Sequence, residues 1–225
     1  MAETVKTFEL NGYTGTVIIP ENPNGKWIWK TEFLYAFDQA ECALVDEGYT
    51  RVNYAICDKY GSYNAVRLMH KFYHYVVKEF NLDKKCSLFG FSRGGLYAFN
   101  FALFYPEYVE KVYLDAPVLD MKTWPYAGSV EQAQMFEEYC LNADTLRVFK
   151  GNPIDKLDEF FALNLPLLVV AGGIDEVVPF EKNSGKLIDY CKANNIHITS
   201  IVKPTCLHHP HSLDDVTPIV DFIKK

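Results

Sequence analysis

No apolar run in this chain approaches the roughly 20 residues a membrane-spanning helix needs, and nothing in it reads as a linker, an internal repeat or a low-complexity segment. The amino terminus, Met1-Ala2-Glu3-Thr4-Val5-Lys6, lacks the cationic start and apolar core of a secretory signal. Basic residues are not clustered and the formal charge is -7, which argues against a nucleic-acid partner, since backbone binding needs grouped Lys and Arg. The six cysteines, Cys42, Cys57, Cys86, Cys140, Cys191 and Cys206, include no C-x-x-C pair. Several sit in apolar patterns where a thiol behaves as a small hydrophobe, and a packed thiol is also the expectation for Cys206. These absences predict a cytosolic protein with reduced cysteines and with neither nucleic acid nor membrane as partner. What is present, 225 residues with 49% hydrophobic and 23% charged, is enough to bury the core of one enzyme-sized domain.

Along the chain, strand and helix patterns alternate, which predicts an α/β fold: a mostly parallel sheet covered on both faces, a three-layer αβα sandwich. Strands are expected near 13–19, 27–30, 51–56, 86–89, 111–114, 167–171 and 196–202. Helices are expected near 38–47, 64–80, 93–105, 181–194 and 214–224. The alternation breaks between Asp120 and Lys156, where Gln132–Leu146 reads as one helix with an apolar stripe, either a small cap over a site or a core helix on the sheet.

Gly90-Phe91-Ser92-Arg93-Gly94 falls between the strand Cys86–Phe89 and the helix that follows. A G-x-S-x-G turn there is so sharp that the positions two residues either side of the serine have little room for side chains, and it leaves the serine hydroxyl exposed at the end of the sheet. The bland alternative is a glycine-rich turn with an ordinary serine. A hydroxyl is a weak nucleophile, so the elbow calls for a histidine base and an orienting carboxylate, in chain order Ser, Asp/Glu, His. The buried run Leu165–Ala171 ends in Gly172-Gly173-Ile174-Asp175, which sets Asp175 past a strand's carboxyl end. Asp175 can equally cap a helix beginning near Phe180. The strand candidate 196–202 runs into Leu207-His208-His209-Pro210-His211, so His208 also lies past a strand end. For these histidines the alternatives are a surface turn or a metal site. The spacing lacks the i, i+4 arrangement that sets two rings on one helical face, so no metal is assigned.

On these motifs the chain resembles the α/β-hydrolase superfamily, and within it the small serine esterases and the peptidases related to prolyl oligopeptidase. The resemblance spans nearly the whole chain. It implies Ser92 as nucleophile, Asp175 as acid and His208 as base, with His209 as the fallback because Leu207 stands where the family usually has glycine. His211 lies too far along to serve but is placed to shape the pocket. One oxyanion donor is then the amide of Arg93. The second comes from the loop after Trp27-Ile28-Trp29, at Glu32 or Phe33, although the His-Gly sequence common there is absent. Glu32 itself reads as a substrate-facing, capping or solvated carboxylate. The Arg93 side chain reads as anion-binding or as turned away to a carboxylate.

The expected activity is hydrolysis of a small-molecule carboxylic ester through an acyl-enzyme, with a short or carbohydrate-linked acyl group and no cofactor. A serine peptidase acting on small peptides is one alternative, although no segment reads as a substrate-filtering domain. A non-catalytic binding protein on the same fold is the other. Asp58–Tyr63, Asp115–Val118, Tyr60 and Trp124 are pocket candidates, with ordinary aromatic packing the competing reading for the two rings.

Overall fold

The structure, a computed structural model, describes residues 3–225; Met1 and Ala2, where the leader reading begins, lie outside the described residues. The chain opens with a hairpin, β1 (Glu3–Leu10) and β2 (Tyr13–Pro20), closed by Asn11-Gly12 with φ of 52° and 82°. Two positive φ values are what a type I′ turn demands, and Asn-Gly supplies them at least cost. Alternating strands and helices follow: β3 (Trp27–Lys30), α1 (Gln39–Asp46), β4 (Thr50–Tyr54), α2 (Tyr63–Glu79), β5 (Cys86–Phe91), α3 (Gly94–Phe104) and β6 (Val109–Asp115). Three helices in succession, α4 (Val130–Tyr139), α5 (Ala143–Val148) and α6 (Leu157–Phe161), precede β7 (Leu167–Gly172), α7 (Ser184–Ala193), β8 (Thr199–Lys203) and α8 (Thr217–Lys224).

One eight-stranded sheet runs β1-β2-β4-β3-β5-β6-β7-β8. The β1/β2 and β2/β4 pairs are antiparallel and every other pair is parallel. Strands β3, β4, β5 and β7 are buried at every position, as expected where helices cover both faces of a parallel sheet. On one face Ile28, Phe89, Tyr113 and Leu168 pack with Leu44 of α1 and Ile219 and Ile223 of α8. On the other, Trp29, Leu88 and Val112 pack with Phe72 of α2, Phe101 of α3 and Leu187 of α7. Helix α3 is apolar nearly all round because it is the helix most enclosed by the others.

The strands expected from 13 onward are present with ends shifted by a few residues, and β8 begins at Thr199, later than its apolar pattern suggests. Strand β1 was not among those expected, because its side chains are mostly exposed and form no apolar run; the Asn11-Gly12 pair is its signal. Helices α7 and α8 start three residues later than expected, α7 behind a short 3-10 turn at Phe180–Lys182. The single helix expected over 132–146 is two: Cys140 turns left-handed with φ 52°, and Asn142 caps a new start by accepting from the amides of Asp144 and Thr145. That region buries Met135, Leu146 and Ile154 in the core. Among the described residues no helix is long and apolar enough to cross a membrane, and all six cysteines are free.

Candidate active site

Ser92 sits on the turn between β5 and α3 with φ 49°, a left-handed backbone that a non-glycine residue adopts only where its surroundings enforce it. They do so through three backbone bonds. The Ser92 amide donates to the Asp115 carbonyl at 2.9 Å, and the Ser92 carbonyl accepts from the amides of Gly95 and Val118 at 2.9 Å each. The flanking glycines answer to contact: a β-carbon at Gly90 would stand 2.8 Å from Ala98 Cβ, and one at Gly94 would stand 2.9 Å from Thr31 Oγ1. A side chain at either position would force its neighbours to shift.

His208, in the loop after β8, joins the elbow to the loop after β7. Its Nδ1 lies 2.7 Å from Asp175 Oδ2 and its Nε2 lies 3.0 Å from Ser92 Oγ. An ionised carboxylate only accepts, so Nδ1 carries the proton and the Nε2 lone pair faces the hydroxyl. All three side chains are buried. Asp175 uses both oxygens, since Oδ1 accepts from the amides of Val177 and Val178 at 2.9 Å each. The capping role is thus real, but it caps the local turn and leaves Oδ2 for the imidazole. The two loops are laced together: Ile174 N donates to the Cys206 carbonyl, and Gly173 N donates to the Lys203 carbonyl.

His209 is joined to neither Ser92 nor Asp175. Its ring is exposed, makes no hydrogen bond among the described residues, and stacks on Phe37 at 5.5 Å. Partial desolvation and the neighbouring His211 and His208 lower its pKa. His211 is buried and donates from Nδ1 to Asp115 Oδ1 at 2.7 Å. Asp115 Oδ2 also accepts from Tyr113 Oη at 2.5 Å and from the Ser212 amide at 2.8 Å. Asp115, expected as a pocket residue, instead ties down the far end of the histidine loop. Nothing in sequence spacing marks this pairing, because the partners are 96 residues apart.

The loop after β3 is fixed against the elbow by Thr31, whose Oγ1 hydroxyl shares its one proton between the carbonyls of Gly94 (2.8 Å) and Phe89 (3.1 Å). This sets the Glu32 amide 3.5 Å from where a Gly94 β-carbon would be. The amides of Glu32, Phe33 and Arg93 donate to no protein acceptor among the described residues. The Glu32 side chain is neither substrate-facing, capping nor solvated. It is buried and paired with Arg93 at 3.1 Å, and burial pushes its carboxyl up against the pull of that guanidinium. Arg93 is thereby turned away from the site, between the rings of Phe33 and Tyr60. Tyr60 and Trp124 pack on each other, and neither reaches Ser92.

Ser92 and His208 open onto a cavity of about 240 Å³, walled by Phe33, Ala36, Phe37, Phe91 and Val177 with His209 and His211 at one side. No residue of 120–156 and none of Asp58–Tyr63 lines it. A larger cleft of about 430 Å³, lined by Tyr63, Phe104, Glu138 and Lys156, shares no residue with it.

No curated protein matches the chain by sequence. Among solved structures it is similar to the fluorophosphonate-binding serine hydrolase F of Staphylococcus aureus, with a TM-score of 0.70, 16% identity and 92% of each chain covered. It is also similar to a dipeptidyl aminopeptidase IV candidate from Bacteroides ovatus, with a TM-score of 0.71 and 15% identity. There 99% of this chain covers only 35% of that one. At these identities the likeness is one of fold. The model of the prolyl oligopeptidase family matches residues 54–225, most of the chain including every residue from the elbow to the histidine loop; the chain therefore belongs to that family of serine hydrolases and carries the α/β-hydrolase fold.

Proposed function

We propose that the protein is a cytosolic carboxylic ester hydrolase acting on small esters with a short, uncharged acyl group through a Ser-His-Asp triad. The observation that carries the substrate reading is the cavity at Ser92: about 240 Å³, mostly apolar, with no carboxylate, lysine or arginine in its lining. A peptide's charged amino or carboxyl terminus would find no counter-ion there, and Arg93, the nearest cation in sequence, is occupied by Glu32. The size is below the usual range for drug-sized ligands.

In the proposed reaction His208 takes the proton of Ser92 Oγ as the oxygen attacks the ester carbonyl. Asp175 holds the imidazole in its tautomer and stabilises the cation that forms. The unengaged amides of Arg93 and of Glu32 or Phe33 receive the oxyanion, each worth about 3 kcal/mol of transition-state stabilisation. Protonated His208 passes its proton to the departing alkoxide. It then takes a proton from a water that attacks the acyl-Ser92 carbonyl and returns it to Ser92 Oγ as the acyl bond breaks, which releases the acid and regenerates the free serine. This sequence calls on no cofactor.

Turnover of p-nitrophenyl acetate and butyrate, compared with the matching p-nitroanilides, tests the reading. Esters cleaved far faster than anilides, with efficient labelling by a fluorophosphonate, is the expected result. A preference for anilides or peptidyl substrates would replace it with the peptidase reading. A folded protein that neither turns over nor labels would make it a binding protein.

The packing at Gly172 gives a separate prediction. A β-carbon there would stand 2.1 Å from the Leu207 carbonyl and 2.4 Å from that of Cys206, the backbone that leads into His208. Gly172→Ala is expected to displace that loop and lower kcat roughly 100-fold, the cost of an ångström-scale misplacement of a reacting group. A variant with wild-type kcat would show that the loop gives way freely.

A further inference from the structure

We propose that His208, His209 and His211 form a binding site for a zinc-class divalent cation, and that filling it shuts off the hydrolase by taking His208 away from Ser92. One ring nitrogen from each of the three lies within 4.8 Å of the others. The rings are mutually edge-to-face, with centroids 4.8, 4.8 and 4.9 Å apart, so they form three walls of one small space. The Nδ1 atoms of His208 and His211 are both held by carboxylates at 2.7 Å, Asp175 and Asp115 respectively, which leaves Nε2 of each as the available donor. Carboxylate-oriented imidazoles are the usual outer support of a metal-bound histidine: the carboxylate fixes the ring and raises its basicity, and here two of them add negative charge beside a cation. Three nitrogen ligands with an open fourth position is a common zinc arrangement, and a cation on His208 Nε2 would displace the Ser92 hydroxyl that lies 3.0 Å from it.

Zn–N bonds of about 2.0–2.1 Å set tetrahedral nitrogens about 3.4 Å apart, so the widest pair must close by roughly 1.4 Å. His209, whose ring is exposed and held by no hydrogen bond among the described residues, is the member free to move toward the other two rings, each anchored by its carboxylate. The i, i+4 rule that counts against a metal applies to helices; here a loop brings the rings together. The pair that does obey the rule, His70 and His74 on α2, has its Nε2 atoms 3.0 Å apart but offers only two ligands on the surface.

The same Nε2 lone pair of His208 cannot both bind a cation and accept the Ser92 proton. Metal and hydrolysis are therefore mutually exclusive. The shut-off rests on the hydrolase reading, whereas the metal binding does not.

Titration calorimetry with zinc chloride on the full chain carrying His70→Ala and His74→Ala removes the surface pair and isolates the loop. One equivalent of zinc is expected to bind, with affinity weakened at least tenfold by His209→Ala, an exposed position, and by His211→Ala, and not weakened by Ser92→Ala, which frees the His208 Nε2 lone pair. Fluorophosphonate labelling of Ser92 is expected to be blocked by one equivalent of zinc and restored by EDTA. Absence of stoichiometric binding, or affinity indifferent to both histidine substitutions, would overturn the site. Labelling of the zinc-loaded protein at the metal-free rate would overturn the shut-off. A protein that binds zinc yet never labels, with or without metal, would support the site and sink the hydrolase reading instead.

Discussion

Ser92→Ala is expected to lower kcat toward p-nitrophenyl butyrate by roughly 10⁶-fold, with KM little changed and the circular dichroism spectrum intact. The change removes one oxygen from a turn whose geometry is set by backbone bonds to Asp115, Gly95 and Val118, so the elbow should persist. What is lost is the only side chain bonded to His208 Nε2 among the described residues. Residual turnover of about 10³-fold over water is expected from the remaining oxyanion donors and binding alone. Fluorophosphonate labelling should vanish with it. A Ser92→Ala variant that hydrolyses as fast as the wild type would remove the serine from the reaction and leave the histidine loop unexplained.

The second large effect concerns stability. Lys30, the last residue of β3, is completely buried and pairs with Glu41 of α1, equally buried, at 2.5 Å. It also donates to the Ala36 carbonyl at 2.6 Å and sits 3.9 Å over the Phe91 ring. Lys30→Met is expected to cost about 3–5 kcal/mol in urea unfolding, because it strands a buried carboxylate. Lys30→Met with Glu41→Leu should recover most of that loss, since two apolar side chains leave no charge to solvate.

The pH dependence follows from the direction of the Glu41 shift. Burial raises its carboxyl pKa even with Lys30 present, so the folded state binds a proton more readily than the unfolded one. Stability is lost as pH rises through that raised value. Without Lys30 the shift grows, and the deficit of Lys30→Met should shrink by up to about 1.4 kcal/mol per pH unit as pH falls from 7 toward 5. A deficit constant over that range would show that the cost is one of packing. Because Lys30 also anchors the loop that presents the Glu32 and Phe33 amides, the same variant links stability to the site.

Much of this arrangement is legible in the chain because its signals are local. A G-x-S-x-G pentapeptide between an apolar strand and an apolar helix, an Asp after Leu-Leu-Val-Val-Ala-Gly-Gly-Ile and a histidine after the last strand each mark a loop at one edge of a parallel sheet. The sheet's short-range rules then place those loops side by side. Strand β1 was legible only in its Asn11-Gly12 turn, because its side chains form no apolar run. The break at Cys140 was not, since a left-handed non-glycine residue is imposed by packing and by the capping residue Asn142.

Sequence by itself determined the fold class, the positions of most strands along the chain and the three loops that hold Ser92, Asp175 and His208. Only the tertiary structure decided which histidine meets the serine, that His211 belongs to Asp115, that Arg93 turns to Glu32, and that Lys30 and Glu41 neutralise each other inside the protein. The division has a physical origin. Periodicity and turn chemistry act over a few residues and leave their trace in composition, whereas the direction of a ring or a carboxylate is set by partners 11 to 116 residues away in the chain. Those partners are found only once burial has made an unpaired charge or donor too costly to keep.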